Sequence, residues 1–156
     1  MLLSIDSMEL EAMGPPKALP RTRHFRNGFF NPAGGAMRRF HSAVLEQVPG
    51  LDSQGPAFAR GVAVEMEVKF YCKRPNSYFV GNVRGAGRLR SWLPRVRPIR
   101  PDIDNLAKFV IDGLNGLVYH DDRQVVRLVA AKLLDSEGDC AGRTSIVISR
   151  FDPVVL

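Results

Sequence analysis

Residues 62 to 72 read VAVEMEVKFYC, and this alternation constrains the fold more than any other stretch. Val62, Val64, Met66, Val68, Phe70 and Cys72 fall on one face, with Glu65, Glu67, Lys69 and Tyr71 on the other. Side chains of a strand point alternately to the two sides of a sheet, so period two this strict predicts a strand with one buried and one wet face. Such a strand needs partners in a sheet and a layer over its apolar side. Arg74-Pro75 ends it, because proline cannot donate to the sheet ladder.

The rest of the chain offers both partners and layer. MELEA at 8 to 12 alternates weakly and reads as a short first strand. PPKALPRTRHFRNGFFNP then reads as loop with a hairpin, Asn27-Gly28 being the turn signal. Asn31-Pro32 supplies a helix cap followed by a first-turn proline. Met37, Phe40, Val44 and Val48 follow at helical spacing until Pro49-Gly50, which predicts a helix from about 33 to 48. A second helix is marked by Leu106, Val110, Leu114 and Leu117, spaced 4, 4 and 3, and it ends at Asn115-Gly116. Gly113 inside it costs about 1 kcal/mol relative to alanine, which argues for a tight approach to a neighbour. RQVVRLVAAKLL (123 to 134) and TSIVISRF (144 to 151) read as strands joined by the turn DSEGDCAG. The order β, α, β, α, β, β predicts an α+β domain, a small mixed sheet with two main helices on one face. One domain is expected across residues 1–156, with its core at about 8 to 150.

Hydrophobic residues make up 45% of the chain and charged residues 24%, ordinary values for a folded protein able to bury a core without disulfides. Cys72 and Cys140 match no zinc spacing and read as reduced core thiols of an intracellular protein. No apolar run is long enough to span a bilayer, and MLLSIDSMELE lacks the basic start of a secretory signal. The net charge of +6 is informative once it is located. Residues 14 to 45 hold Lys17, Arg21, Arg23, Arg26, Arg38 and Arg39 and no acid. Residues 73 to 100 hold Lys73, Arg74, Arg84, Arg88, Arg90, Arg95, Arg97 and Arg100, again with no acid. These segments carry +14, against eight basic residues and sixteen acids elsewhere. Two basic segments framing an acidic remainder suit a polyanionic partner, and the planar guanidinium of arginine suits phosphate. A solvated basic surface would carry the same charge. Residues 76 to 100 show no period and form an expected mobile basic loop. Its Tyr78, Phe79 and Trp92 could stack on bases, although packing against the body of the domain explains them equally well.

PDIDNLAKFVIDGLNGLVYHDD, 101 to 122, concentrates five acids around a single basic residue, Lys108. Asp102 and Asp104 lie two apart just before the helix. In an extended chain both would point the same way and could share one hard cation through oxygen ligands. Either alone would serve as a helix cap. Lys108 returns to the face of Asp104, as an i, i+4 ion pair or as a cation positioned to steady a phosphate. Asp121 and Asp122 come after the helix, which carries the chain away at about 1.5 Å per residue. They meet the first pair only if the residues that follow bring the chain back. Asp112, on the helix, needs no more than solvent or Arg123.

Carboxylates with magnesium suit phosphodiester hydrolysis and need neither histidine nor cysteine. His24, His41 and His120 form no zinc-protease pattern, and the chain has no P-loop. A DxD glycosyltransferase would also hold a metal by two such acids, but no nucleotide-binding α/β pattern surrounds the motif.

The stretch PDIDNLAKFVIDGLNGLVYHDDRQVV resembles the RusA family of Holliday-junction resolvases, endodeoxyribonucleases with Asp-x-Asp-Asn-Leu-x-Lys, a helix, then Asp-Asp-x-Gln-Val. The basic N-terminal loop, the helix at 33 to 48 and the strand ending in Arg74-Pro75 are similar too. The resemblance implies that Asp102, Asp104 and Asp122 are metal-binding catalytic carboxylates, that Asp121 neighbours them at the metal, and that Lys108 is the active-site lysine. It implies that the acids after the helix return to the first pair. It further implies magnesium, or manganese, as cofactor, and a homodimer that nicks a four-way junction symmetrically. DNA contacts are expected from Arg21, Arg23, Arg26, Lys73, Arg74, Arg84, Arg88, Arg90, Arg95, Arg97 and Arg100. No membrane and no small-molecule cofactor is expected, and the place of action would be the cytoplasm or nucleoid of a bacterial or phage-infected cell. The competing expectation is a binder of branched DNA without catalysis.

Overall fold

A computed structural model describes residues 5–19, 23–25, 28–30, 33–85, 87–96 and 98–155, with 23–25 and 28–30 described by their backbone alone. The first strand, β1 (Ser7–Met13), buries Met8 and Leu10 and exposes Ser7, Glu9 and Glu11. A two-stranded hairpin follows, β2 (Arg23–Phe25) and β3 (Gly28–Phe30), paired from Arg23 with Phe30 to Phe25 with Gly28. Gly28 thus already belongs to a strand. The cap expected at Asn31-Pro32 lies outside the described residues.

Helix α1 (Gly34–Gln47) agrees with the expected 33 to 48, and Phe40 and Val44 are its buried residues. One further turn of helix, α2 (Leu51–Gln54), buries Leu51 after Gly50, whose φ of 95° is a left-handed conformation suited to glycine. The alternating stretch forms β4 (Val64–Cys72), with Val64, Met66, Val68 and Phe70 fully buried. Helix α3 (Ile103–Leu114) buries Leu106, Ala107, Phe109, Val110, Gly113 and Leu114. Two strands close the fold, β5 (Val125–Leu134) and β6 (Arg143–Arg150).

The main sheet runs in the order β1-β6-β4-β5. β6 is antiparallel to both β1 and β4, while β5 is parallel to β4, from Val64 beside Val125 to Cys72 beside Leu134. The sheet is therefore mixed, as expected. β5 and β6 are consecutive in sequence but not neighbours in the sheet, an order that alternation alone does not reveal. α1 and α3 lie over the face made by Met8, Leu10, Met66, Val68, Phe70, Ile146 and Ile148. Phe40 of α1 meets Phe109 of α3 edge to face at 5.6 Å. Gly113 explains the closeness of the two helices: a Cβ there would stand 2.8 Å from the Phe40 ring and 2.9 Å from Met37 Sδ.

The parallel pairing of β4 and β5 fixes the frame of everything that follows. β4 runs up the sheet, α3 runs down over it, and β5 runs up again. The start of α3 stands at the upper end of the sheet, and the turn after α3 stands at the lower end.

Candidate active site

At the upper end, Asp102 is the residue before the first turn of α3 and Asp104 lies in that turn. Asp102 makes no side-chain capping bond, so capping does not account for it. Asp102, Ile103 and Asp104 line one open groove with Arg100, Ile99, Ala130 and Lys132. Lys132 of β5 holds this corner in place: its Nζ donates to the carbonyls of Ile99 and, at 2.9 Å, Pro101. Leu134 N donates to Arg95 O at 2.7 Å, tying the end of the basic loop to the same strand. Two exposed carboxylates are thus presented by a braced segment beside exposed Arg95 and Arg100. Lys108 is exposed one turn further along α3 and makes no ion pair among the described residues, so the i, i+4 pair with Asp104 does not form.

At the lower end, the turn Asp122–Gln124 carries the other acids. Gln124 is the residue that holds this turn. Buried, it donates from Nε2 to Ala59 O at 2.8 Å and Val62 O at 3.0 Å, and its Oε1 accepts from His120 N and Asp121 N. The motif contains this glutamine, but the residue's identity does not announce its role as a clip between the turn and the loop that leads into β4. The one available signal was Asp121-x-x-Gln124, the spacing of a capping box. Tyr119 packs beneath, its hydroxyl donating to Ile111 O at 2.8 Å. Burial, and then the charges of Asp122 and Asp112, push that phenol well above its usual range.

Asp121 does not fit the role of metal ligand expected for it. Its Oδ1 accepts from Arg123 N and Nε, both at 2.9 Å, and its Oδ2 accepts from Arg123 Nη2 at 2.7 Å. The bonds from Arg123 hold its carboxyl far below the usual carboxylate range. Both oxygens are committed to the turn itself. Asp122 is exposed beside it.

The expectation that the turn acids return to Asp102 and Asp104 also fails within one chain. α3 has 12 residues, which at 1.5 Å each separate its ends by about 18 Å. The turn then hands over directly to β5, and only the far end of that strand, Ala130 to Lys132, reaches the groove of Asp102. Among the described residues no group of three or more Asp, Glu, His or Cys is placed to hold a metal ion. Asp102 and Asp104 alone are a pair, short of the oxygen ligand set a hard cation takes.

The expected DNA contacts divide. Arg74 is not a surface cation: it is 3% exposed, and it donates to Asp135 O and to Pro94 O at 3.0 Å. Arg84 donates to the carbonyls of Asp139 at 3.0 Å, Cys140 at 2.8 Å and Arg74, and stacks over the buried Phe79 ring. Arg88 donates to Val80 and Val83 carbonyls. These arginines anchor the loop expected to be mobile, because carbonyls facing inward need donors. Lys73, Arg95 and Arg100 are exposed, Arg90 is half-buried, and Trp92 is 75% exposed between them. Arg21, Arg26 and Arg97 lie outside the described residues, and of Arg23 only the backbone, in β2, is described.

A family model described as endodeoxyribonuclease RusA matches residues 13–148, a span that holds β4, β5, most of β6, both main helices and Asp102, Asp104, Asp121 and Asp122. The chain belongs to the RusA endodeoxyribonuclease family. It is also similar to an uncharacterized protein, YqaN, of Bacillus subtilis strain 168, 31% identical over 135 residues that cover 85% of this chain and 92% of that protein. RusA enzymes are Holliday-junction endonucleases, so nuclease chemistry is the frame for the carboxylates. Among the described residues no helix is long and apolar enough to cross a membrane.

Proposed function

We propose that this protein is a divalent-cation-dependent endonuclease that resolves four-way DNA junctions by paired nicks, with Asp102, Asp104 and Asp122 as its essential carboxylates. The observation that carries the reading is the corner of Asp102 and Asp104. Two exposed carboxylates, not used as caps, are braced by Lys132 beside exposed arginines, in a chain whose family match spans most of its length. Magnesium, or manganese in its place, is the expected cofactor, since both favour carboxylate oxygen. Arg95 and Arg100 would hold the phosphate backbone, and Lys108 would place a positive charge on the same helix face. Branched DNA is the expected substrate, and a homodimer would match the two-fold symmetry of a junction.

The alternative is binding of branched DNA without cleavage. The incomplete ligand set within one chain favours it. One assay separates the two: a labelled four-way junction and a matched linear duplex are incubated with protein, with and without magnesium. Paired symmetric nicks in the junction alone, lost in Asp104→Asn, are expected. The variant should bind the junction as well as or better than the wild type, because a negative charge near phosphate is removed. Tight binding with no cutting in magnesium or manganese would leave the non-catalytic reading.

A further inference from the structure

We propose that Trp92 selects branched over linear DNA, by stacking its indole on a nucleobase left uncovered at the branch point. The inference rests on the functional reading above and deepens it, because it names the residue that senses the branch.

Residues 76 to 100 carry three aromatic side chains that could stack on bases, and the structure separates them. Phe79 is fully buried, with the Arg84 guanidinium over its ring. Tyr78 is half-buried, its carbonyl accepting from Arg90 N at 3.1 Å. Trp92 alone of the three stands out, at 75% exposed. Tryptophan is on average a well-buried residue, so an indole left in water calls for a reason.

The exposure is not that of a loose loop. The chain is fixed on both sides of Trp92. Before it, Phe79 and Leu89 pair antiparallel, and Val80 N donates to Arg88 O at 2.7 Å. After it, Leu93 is half-buried, Pro94 O accepts from the buried Arg74 at 3.0 Å, and Arg95 O accepts from Leu134 N of β5 at 2.7 Å. Ser91 and Trp92 form the turn between these anchors. A turn held in this way presents the indole with little ordering left to do on binding.

The surroundings say what the partner is. The segment 73 to 100 has no acid, and Arg88, Arg95 and Arg100 are exposed in it. A nucleic-acid strand offers phosphates to guanidinium groups and flat base faces to an indole. In a linear duplex each base is covered by its neighbours above and below. At a branch the stack is interrupted, and the last base of an arm shows a face. Reach fits as well. Trp92 is four residues before Val96, which lines the groove of Asp102 and Asp104, no more than about 14 Å along an extended chain. That is about four base steps of one strand, at about 3.4 Å each. A base stacked on Trp92 therefore lies within a few nucleotides of a phosphate held at the carboxylates.

Trp92 is the one tryptophan of the chain, so its fluorescence can be read alone. Wild type is titrated, without divalent cation, with a four-way junction and with a linear duplex, and binding is followed in parallel by the anisotropy of labelled DNA. The junction is expected to quench the emission strongly and the duplex to leave it near its starting value. Trp92→Ala is expected to bind the junction roughly 5- to 150-fold more weakly, the range for one lost base stack. Its duplex affinity and the salt dependence of its binding should stay as in the wild type, because no charge is removed. Trp92→Phe keeps a flat ring and should keep most of the preference. A wild type that prefers the junction yet shows unchanged emission, or equal quenching by the duplex, would overturn the proposal and leave the nuclease reading standing. So would a Trp92→Ala chain, with a wild-type circular dichroism spectrum, that keeps its full preference or loses affinity equally for both DNAs. The fluorescence arm needs no variant and decides the matter even if Trp92→Ala fails to fold. A wild type that neither prefers nor cuts the junction would remove both readings together.

Discussion

Single residues in this protein separate chemistry from support more sharply than their sequence positions suggest. Asp121 and Asp122 are adjacent acids, yet Asp121 has both oxygens on Arg123 while Asp122 is exposed. Gln124, next but one, satisfies four polar groups, two amides of its own turn and two carbonyls of the loop that leads into β4. Replacing it by leucine would keep the volume and strip every one of those bonds. The carbonyls of Ala59 and Val62 and the amides of His120 and Asp121 would lose their partner, at about 1–3 kcal/mol for each that stays buried. Turn and loop can let water in, so a total loss of roughly 2–4 kcal/mol is expected for Gln124→Leu. Urea denaturation monitored by far-ultraviolet circular dichroism measures it. A loss under about 0.5 kcal/mol would show that the turn is held by something else. Nothing in the identity of a glutamine announces such a role, since the same residue on a surface does nothing; only its place between two backbone segments does.

At the scale of elements, the close packing of α3 on α1 depends on one glycine. A methyl group at Gly113 would meet the Phe40 ring at 2.8 Å and Met37 Sδ at 2.9 Å. Alanine would gain about 1 kcal/mol in helix propensity, but overpacking a filled core costs about 1–3 kcal/mol. The two effects nearly cancel for Gly113→Ala. Gly113→Val adds two more carbons and a β-branched side chain, and a net loss of about 2–3 kcal/mol is expected, read as a lower Tm in calorimetry. Equal stability of the valine variant would mean that α3 slides freely over α1. This approach was legible in the sequence, because a glycine inside a strong apolar stripe has a cost that packing must offset. So were β4 and α1, whose periods of two and 3.6 follow directly from which faces are buried. The strand order was not legible, for the alternation of β5 and β6 says which face is wet and nothing about neighbours. The position of the acids was half legible: the spacing of Asp102 and Asp104 predicts a pair, but only the parallel pairing of β4 with β5 sends Asp122 to the opposite end. The arginines bonded to their own loop are not legible either, because an Arg-rich loop looks the same in sequence whether its guanidinium groups face phosphate or carbonyl oxygen.

For the whole molecule, the segregation of charge must be recounted with the fold in hand. The segment 73 to 100 has eight basic residues, yet Arg74 is buried and Arg84 is shared among three carbonyls. Among the described residues Lys73, Arg95 and Arg100 are left as exposed cations, Arg100 lining the groove and Arg95 next to its Val96, with Arg88 exposed while bonded to its own loop. The two groups should behave differently in one experiment, the salt dependence of junction binding measured without divalent cation. Each phosphate neutralised by a protein cation contributes about −0.9 to the slope of log affinity against log salt. Arg95→Ala with Arg100→Ala should therefore flatten the slope by close to 2, weaken binding at low salt and leave Tm within a degree or so, since exposed substitutions change stability by less than about 0.5 kcal/mol. Arg84→Ala should do the reverse. Its carbonyl partners lose a charged donor, worth about 1.5–3 kcal/mol per bond at most and less where water replaces it. Tm should fall by several degrees while the salt slope, measured well below the new Tm, stays as in the wild type. If Arg84→Ala flattened the slope and left Tm unchanged, its guanidinium would have to leave those carbonyls for phosphate when DNA binds, and the loop would be a closing arm. If the Arg95 and Arg100 double variant kept the full slope, the DNA would run over the opposite basic segment, with Lys17, Arg38 and Arg39 as the exposed cations to test next.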